Sequence, residues 1–219
     1  MITIAFVHVG ESALLPRIMV ASARRAAPGA RIVHLADERS PPVDGVDDTV
    51  RLPYDGEHLM TFRLAHFSNF APCDAVFLDT DVVVQKDLSP LFDREFDVAL
   101  TRRENAGLDP QGRDVADLMP YNTGVMLSRP SGWDFWHNVL RYCETLPDEL
   151  RRWWGDQYAV KAVAEVAPLN VCELPCDLYN YSPATDTEDL GGRFVVHYKG
   201  NRKPWMIGRG RSEFGVGDR

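Results

Sequence analysis

The residues best suited to chemistry are Asp79 and Asp81, two carboxylates separated by Thr80 within residues 75–84, Ala-Val-Phe-Leu-Asp-Thr-Asp-Val-Val-Val. Residues 75–78 have the length and composition of a buried strand. Acidic side chains at the end of such a strand are costly unless positive charge meets them. Residues i and i+2 of an extended segment point the same way. Asp79 and Asp81 are therefore expected to converge on one cation, with Thr80 facing elsewhere. Hard oxygen ligands of this kind suit manganese or magnesium.

A second group of candidates lies far along the chain. His197 ends a short apolar run and is followed by Lys199, Arg202 and Lys203. In a chain of formal net charge -8, such a cluster reads as a receptor for anionic oxygens. Between the two groups stand Arg63, Asn122 with Thr123-Gly124, and Asp156-Gln157 after Gly155. Each also has an ordinary structural reading. The acid pair can cap a turn, and His197 can bond a carbonyl in the core. Asp156 and Gln157 suit a helix start, where the dipole favours acid. Asn122 suits a turn, Arg63 a helix surface, and the late cations a solvated face. It is their combination that points to a site.

The elements that must position these residues alternate. Residues 2–9 read as a strand, 13–26 as a helix with Pro16 in its first turn, and 31–35 as a second strand. Strand, helix and strand in this order suggest a parallel βαβ unit. Residues 37–48, with Ser40-Pro41-Pro42 and Gly45, form a surface loop, and 49–52 a short strand. Residues 58–70 read as a helix carrying Arg63. After the strand at 75–78 come one helical turn at 89–92 and a strand at 96–100. Residues 102–118 are polar, with Gly107, Pro110 and Gly112, and read as a mobile loop that orders over a ligand. Later strands are expected at 125–127, 171–174 and 194–197. Helices are expected at 133–143 and from Asp156. The sum is an α/β fold with a mostly parallel central sheet flanked by helices, whose ligands collect at the carboxyl ends of strands. One catalytic domain is expected over residues 1–205, with 206–219 a C-terminal tail.

Composition narrows the function. The 219 residues suffice for one substantial core. The net charge of -8 argues against nucleic acid as a partner. No transmembrane segment is expected, because no apolar run is long enough to cross a bilayer. Met1-Ile2-Thr3-Ile4 has no basic region before its apolar stretch, so a secretory signal is not expected. Cys73, Cys143, Cys172 and Cys176 show no Cys-x-x-Cys spacing. Cys172 and Cys176 admit a disulfide or half a zinc site, but reduced thiols in a cytoplasmic protein are the favoured reading.

The ordered set resembles the family 8 glycosyltransferases, the group of glycogenin and the bacterial lipopolysaccharide galactosyltransferases, which have a GT-A fold. Thr61-Phe62-Arg63-Leu64 is similar to the helix that carries a basic residue near the donor sugar. Val76 to Val82 looks like the family's Asp-x-Asp segment, and Asp87-Leu88-Ser89-Pro90-Leu91-Phe92 resembles the stretch that usually comes after that segment. Asn122-Thr123-Gly124-Val125, Gly155-Asp156-Gln157 and Leu174-Pro175 with Tyr179-Asn180 resemble later motifs. The stretch from Val196 to Trp205 is close to His-Phe-x-Gly-x-x-Lys-Pro-Trp.

The resemblance implies a metal-dependent transferase that retains anomeric configuration. Asp79, Asp81 and His197 would bind manganese, or magnesium. Gly200 and Lys203 would meet the diphosphate of a nucleotide-sugar donor, UDP-glucose or UDP-galactose. Arg63, Thr80, Asn122 and Thr123 would contact the donor, and Asp156 and Gln157 would serve catalysis. Val9, Gly10, Glu11 and Leu14 stand where the family carries polar residues and an aromatic for the base, with Val9 expected to contact the donor. The sequence names no acceptor.

Two other readings compete. Leu78 to Val83 also fits the first motif of haloacid-dehalogenase-like phosphatases, with Asp79 as nucleophile and Asp81 as general acid. A nucleotide-sugar-binding protein without transferase activity is the other.

Overall fold

A computed structural model describes residues 1–70, 72–104, 107–109 and 112–217. The chain opens with β1 (Thr3–His8), α1 (Leu14–Ala26), β2 (Arg31–Ala36) and β3 (Asp48–Arg51). Then come α2 (Leu59–Asn69), β4 (Ala75–Leu78), β5 (Val82–Val84) and β6 (Val98–Arg102). The middle holds α3 (Val115–Leu118), β7 (Tyr121–Ser128), α4 (Trp133–Glu144), α5 (Asp148–Arg152) and α6 (Gly155–Ala164). The last elements are β8 (Val171–Pro175), α7 (Cys176–Tyr179), β9 (Val195–His197) and α8 (Lys203–Phe214).

The main sheet has seven strands in the order β3-β2-β1-β4-β7-β6-β8. β1 pairs in parallel with β2 and β4, β2 with β3, and β6 with β8. In this sheet only β7 runs against its neighbours, β4 and β6. The mostly parallel α/β architecture expected from the alternation is what the chain adopts. Every residue of β4 is buried, as a strand covered on both faces requires.

Two apolar layers enclose the sheet. On one face Ile18 and Met19 of α1, Met206 of α8, and Val82, Val83 and Val196 pack against Ile4, Phe6 and Val76. On the other, Leu64 and Phe67 of α2, Trp136 of α4 and Val160 of α6 cover Ala5, Phe77 and Met126. Phe77 stacks on Phe67 with ring centroids 4.1 Å apart and meets Trp136 edge-on at 5.2 Å.

Several local expectations are corrected. The stretch expected as a tail is largely helix: α8 holds Met206, fully buried, against the core, and Arg209 donates to Gln85 Oε1 at 2.6 Å. Helices α5 and α7 had no periodic signal, being only 5 and 4 residues long. Within residues 102–118, Leu108 bridges Asp114, Asp109 pairs with Arg113 at 2.7 Å, and α3 forms the exit. Pro110 of that segment lies outside the described residues.

Candidate active site

The acid pair does not lie on extended backbone. Asp79 comes just after β4, and Thr80 and Asp81 form the turn into β5. The turn still brings both carboxylates to one place, because the second sheet fixes what faces them. β5 pairs antiparallel with β9, in a register that sets Val82 opposite His197. The Tyr198 amide donates to the Asp81 carbonyl at 2.8 Å, and the His197 amide to the Tyr181 carbonyl at 2.7 Å. The imidazole is thereby held with Nε2 3.1 Å from Asp81 Oδ1 and 3.6 Å from Asp79 Oδ2.

A hydrogen-bond network decides which nitrogen faces the acids. The Asn180 amide donates to Thr101 Oγ1 at 2.7 Å and to the Asn122 carbonyl at 3.0 Å. A carbonyl can only accept, so Asn180 must present Oδ1 to His197, 2.8 Å from Nδ1. Nδ1 therefore carries a proton. Gly124 makes room for the ring: a Cβ there would lie 2.4 Å from His197 Cε1 and 2.5 Å from Nδ1.

These donors fit a hard divalent ion. One atom from each of Asp79, Asp81 and His197 lies within 4.8 Å of the others. Neighbouring ligands around an octahedral ion at about 2.1 Å stand about 3 Å apart, close to the spacing between His197 and Asp81. Fixing one ring nitrogen through a hydrogen bond is the usual way to aim the other at a metal.

Arg63 supplies a second set of contacts. Its guanidinium lies 2.7 Å from Asp79 Oδ1 and 2.9 Å from Asp156 Oδ2, and donates to the Thr123 carbonyl at 2.6 Å. Thr123 Oγ1 donates to Asp156 Oδ2 at 2.7 Å, and the Gln157 backbone N–H donates to Asp156 Oδ1 at 2.9 Å. Asp156 is only 1% exposed. It lines the cleft with both oxygens engaged, one by Arg63 and Thr123 and the other by the Gln157 backbone N–H. Burial pushes the Asp79 carboxyl above the usual carboxylate range, against the opposing charges of Arg63 and His197. Burial also raises Asp81, but the His197 hydrogen bond and the His197 and Lys203 charges bring it down to about 2.

All the expected site residues line one cleft of about 1240 Å³, including Val9, Thr80, Asn122, Thr123, Gln157, Gly200 and Lys203. Lys203 Nζ is 3.6 Å from Asp81 Oδ2. Gly200 has φ +67, a conformation that side chains disfavour. Val7, His8 and Val9 close the end beside β1.

Sequence reasoning missed other residues of the cleft. Asn180 stands in the Tyr-Asn motif, but nothing in that motif assigns it a role. Arg103 donates to Gln157 Oε1 across 54 residues of sequence, and nothing local signals that contact. Trp153 and Trp154 also line the cleft, 56% and 51% exposed. Trp154 has φ 70, rare for a bulky side chain. Adjacent tryptophans just before Gly155-Asp156-Gln157 were the available signal.

Three solved glycosyltransferases share this fold. The chain aligns with the galactosyltransferase LgtC, solved with donor and acceptor sugar analogues, at TM-score 0.57 and 15% identity, covering 98% of this chain and 91% of that one. The chain has the GT-A fold. A glycosyltransferase involved in glycosylating the major capsid of PBCV-1 shares this fold at TM-score 0.64 and 16% identity, over 96% and 98% of the two chains. GlyE of Streptococcus pneumoniae aligns at TM-score 0.63 and 16% identity, over 93% of this chain and 55% of its own. In sequence, this GT-A chain is 26% identical over 164 residues to "Probable galacturonosyltransferase 4" of Arabidopsis thaliana, over 60% of this chain. It spans 24% of the length of that curated relative. No family model matches the chain. The resemblance to family 8 glycosyltransferases thus stands on the fold and on this relative. All four cysteines are free thiols, and among the described residues no helix is long and apolar enough to cross a membrane.

Proposed function

We propose that this chain is a metal-dependent, retaining glycosyltransferase that moves a hexose, glucose or galactose, from a UDP-sugar to an acceptor. One observation carries the reading: Asp79, Asp81 and His197 converge beside Lys203 in the cleft of a GT-A fold. A divalent ion held there, manganese or magnesium, supplies positive charge to the diphosphate as it departs.

The chain's own residues do the rest. Lys203, half-exposed and beside Asp81, pairs with diphosphate oxygens, where negative charge grows as the glycosidic bond breaks. Gly200 leaves room for the phosphates to approach the backbone. Arg63, fixed by Asp156 and Thr123, presents its cation to the donor sugar, with Thr80 and Asn122 beside it. Val9 and its neighbours enclose the base. Gln157, steadied by Arg103, is the polar group offered to the reacting carbon, and Asp156 holds Arg63 and Thr123 in place. Four free thiols suit a reducing compartment, and a cytoplasmic setting is part of this reading.

Phosphatase chemistry at Asp79 gains no support. Oδ1 is committed to Arg63 at 2.7 Å, which makes it a poor nucleophile, and one strand beside β4 is antiparallel.

Melting measured with UDP, with and without manganese, tests the proposal. UDP should raise the melting temperature only when metal is present, and Asp81→Ala should abolish the effect. Equal stabilisation of Asp81→Ala would remove the metal assignment. A mass-spectrometric donor panel then separates transferase from binding protein. The plant relative's name makes UDP-galacturonate one of its members. Tight binding with no product from any donor and acceptor would favour the binding protein.

A further inference from the structure

Two tryptophans stand apart from the other three. Trp133 and Trp136 are buried, and Trp205 packs against the core. Trp153 and Trp154 are each more than half exposed, and both line the cleft. Among the described residues neither belongs to an apolar layer, stacks on another ring or donates its indole N–H. An indole is a large apolar surface, and leaving it in water forfeits the gain of burying it.

The backbone holds Trp154 in a conformation that its side chain disfavours. Its φ is 70 and its ψ -11, in the left-handed region that glycine enters freely. The turn is fixed on both sides. The Trp154 carbonyl accepts from the Gln157 N–H at 3.0 Å as α6 begins. A Cβ on Gly155 would lie 2.4 Å from the Leu150 carbonyl oxygen, so Gly155 seats close against α5. Glycine would suit position 154 as well, yet the chain carries an indole there. Backbone strain of this kind clusters at ligand sites. The same hydrogen bond ties the Trp154 backbone to Gln157, the group offered to the reacting carbon in the proposed function.

A pyranose ring has faces of C–H groups and a rim of hydroxyls. Those faces suit the apolar face of an indole, and a free indole N–H can donate to the rim. A nucleobase also stacks on indole, but the proposed function gives the base to Val9 at the β1 end of the cleft. We propose that Trp153 and Trp154 form a stacking platform for a pyranose ring of the acceptor, which is therefore a saccharide. The inference rests on the transferase reading of this cleft.

Tryptophan fluorescence of the whole protein saturated with manganese and UDP tests it. The probes are methyl β-glucoside, methyl β-galactoside, lactose and maltose, with glycerol as the non-stacking control. At least one saccharide should bind saturably and shift the emission to the blue, as exposed indoles are covered, while glycerol does nothing. Trp154→Gly removes the ring but suits the left-handed backbone. It should weaken that binding by at least ~10-fold with a melting temperature equal to or above that of the unmodified protein. Trp154→Phe should retain part of the affinity. Four outcomes would overturn the platform while manganese-dependent UDP binding persists. No probe shifts the emission. Trp154→Gly binds the saccharide as tightly as before. Trp154→Gly melts lower, which makes the ring a support for the fold. UDP alone gives the whole blue shift, which assigns the indoles to the base. Absence of UDP binding in the unmodified protein would instead overturn the transferase reading, and the acceptor platform with it.

Discussion

His197 Nδ1 donates to Asn180 Oδ1 across 2.8 Å, and this contact aims Nε2 at Asp79 and Asp81. Asn180 is fixed in turn by its bonds to Thr101 and Asn122. Asn180→Leu keeps the size of the side chain and removes the acceptor. Manganese affinity, measured by electron paramagnetic resonance, should fall by about 10- to 100-fold, as for other partners of metal-bound histidines. Unchanged affinity would show that the β5–β9 pairing alone orients the ring.

Gly124 tests the same ring from its other side. A methyl group there would overlap the imidazole at 2.4 Å, and the close-packed interior offers little room for relief. Gly124→Ala should displace His197 from the acid pair. Melting scans should then show no manganese-dependent stabilisation by UDP, while the far-ultraviolet circular dichroism remains that of the α/β fold. Retained stabilisation would mean that His197 contributes nothing to the metal site.

Arg63 is buried between Asp79 and Asp156. Arg63→Met leaves both carboxylates without their cation and should cost about 3–5 kcal/mol, the usual effect of breaking a buried pair on one side. Adding Asp156→Asn removes one stranded charge and should recover part of the loss. Urea unfolding of the two variants gives the comparison. A double variant less stable than the single one would contradict this account.

Acid should weaken the fold through two buried histidines. Among the described residues, His34 has no hydrogen-bond partner at either ring nitrogen, and it stacks on Phe6 at 5.0 Å. Burial, with the nearby His8 charge next, lowers His34 from 6.5 to about 4. Burial likewise lowers His66 to about 4, despite its bond to the Ala36 carbonyl. In this window the unfolded chain binds protons that the folded chain refuses, so stability is lost as pH falls from 6.5 towards 4. Between pH 7 and 5 each imidazole should account for a loss on the order of 2 kcal/mol. Urea titrations at both pH values measure it, and His34→Leu should flatten the dependence. An equally steep dependence in that variant would put the titrating groups elsewhere.

Much of the fold was legible because each local signal had a single physical cause. The apolar run at Ala75–Leu78 could only be buried, and the alternation of strands and helices implied a parallel sheet. Strand β6 runs two residues beyond its expected end, because Thr101 and Arg102 pair with Asn122 and Tyr121 after a register shift. Helix α8 was missed because packing on α1, more than any repeat of its own, holds it.

The candidate site divides in the same way. Sequence alone determined which chemistry was available: carboxylates in an Asp-x-Asp segment, a late histidine with a lysine behind it, an arginine in a helix. Residue type and short spacing are local properties, and the chain displays them before it folds. Tertiary structure decided the geometry. The β5–β9 register set His197 against Asp81, Asn180 chose its tautomer, and Arg63 drew Asp156 to the cleft. Such contacts join residues far apart in the chain, and their energies depend on burial, which no short stretch of sequence contains.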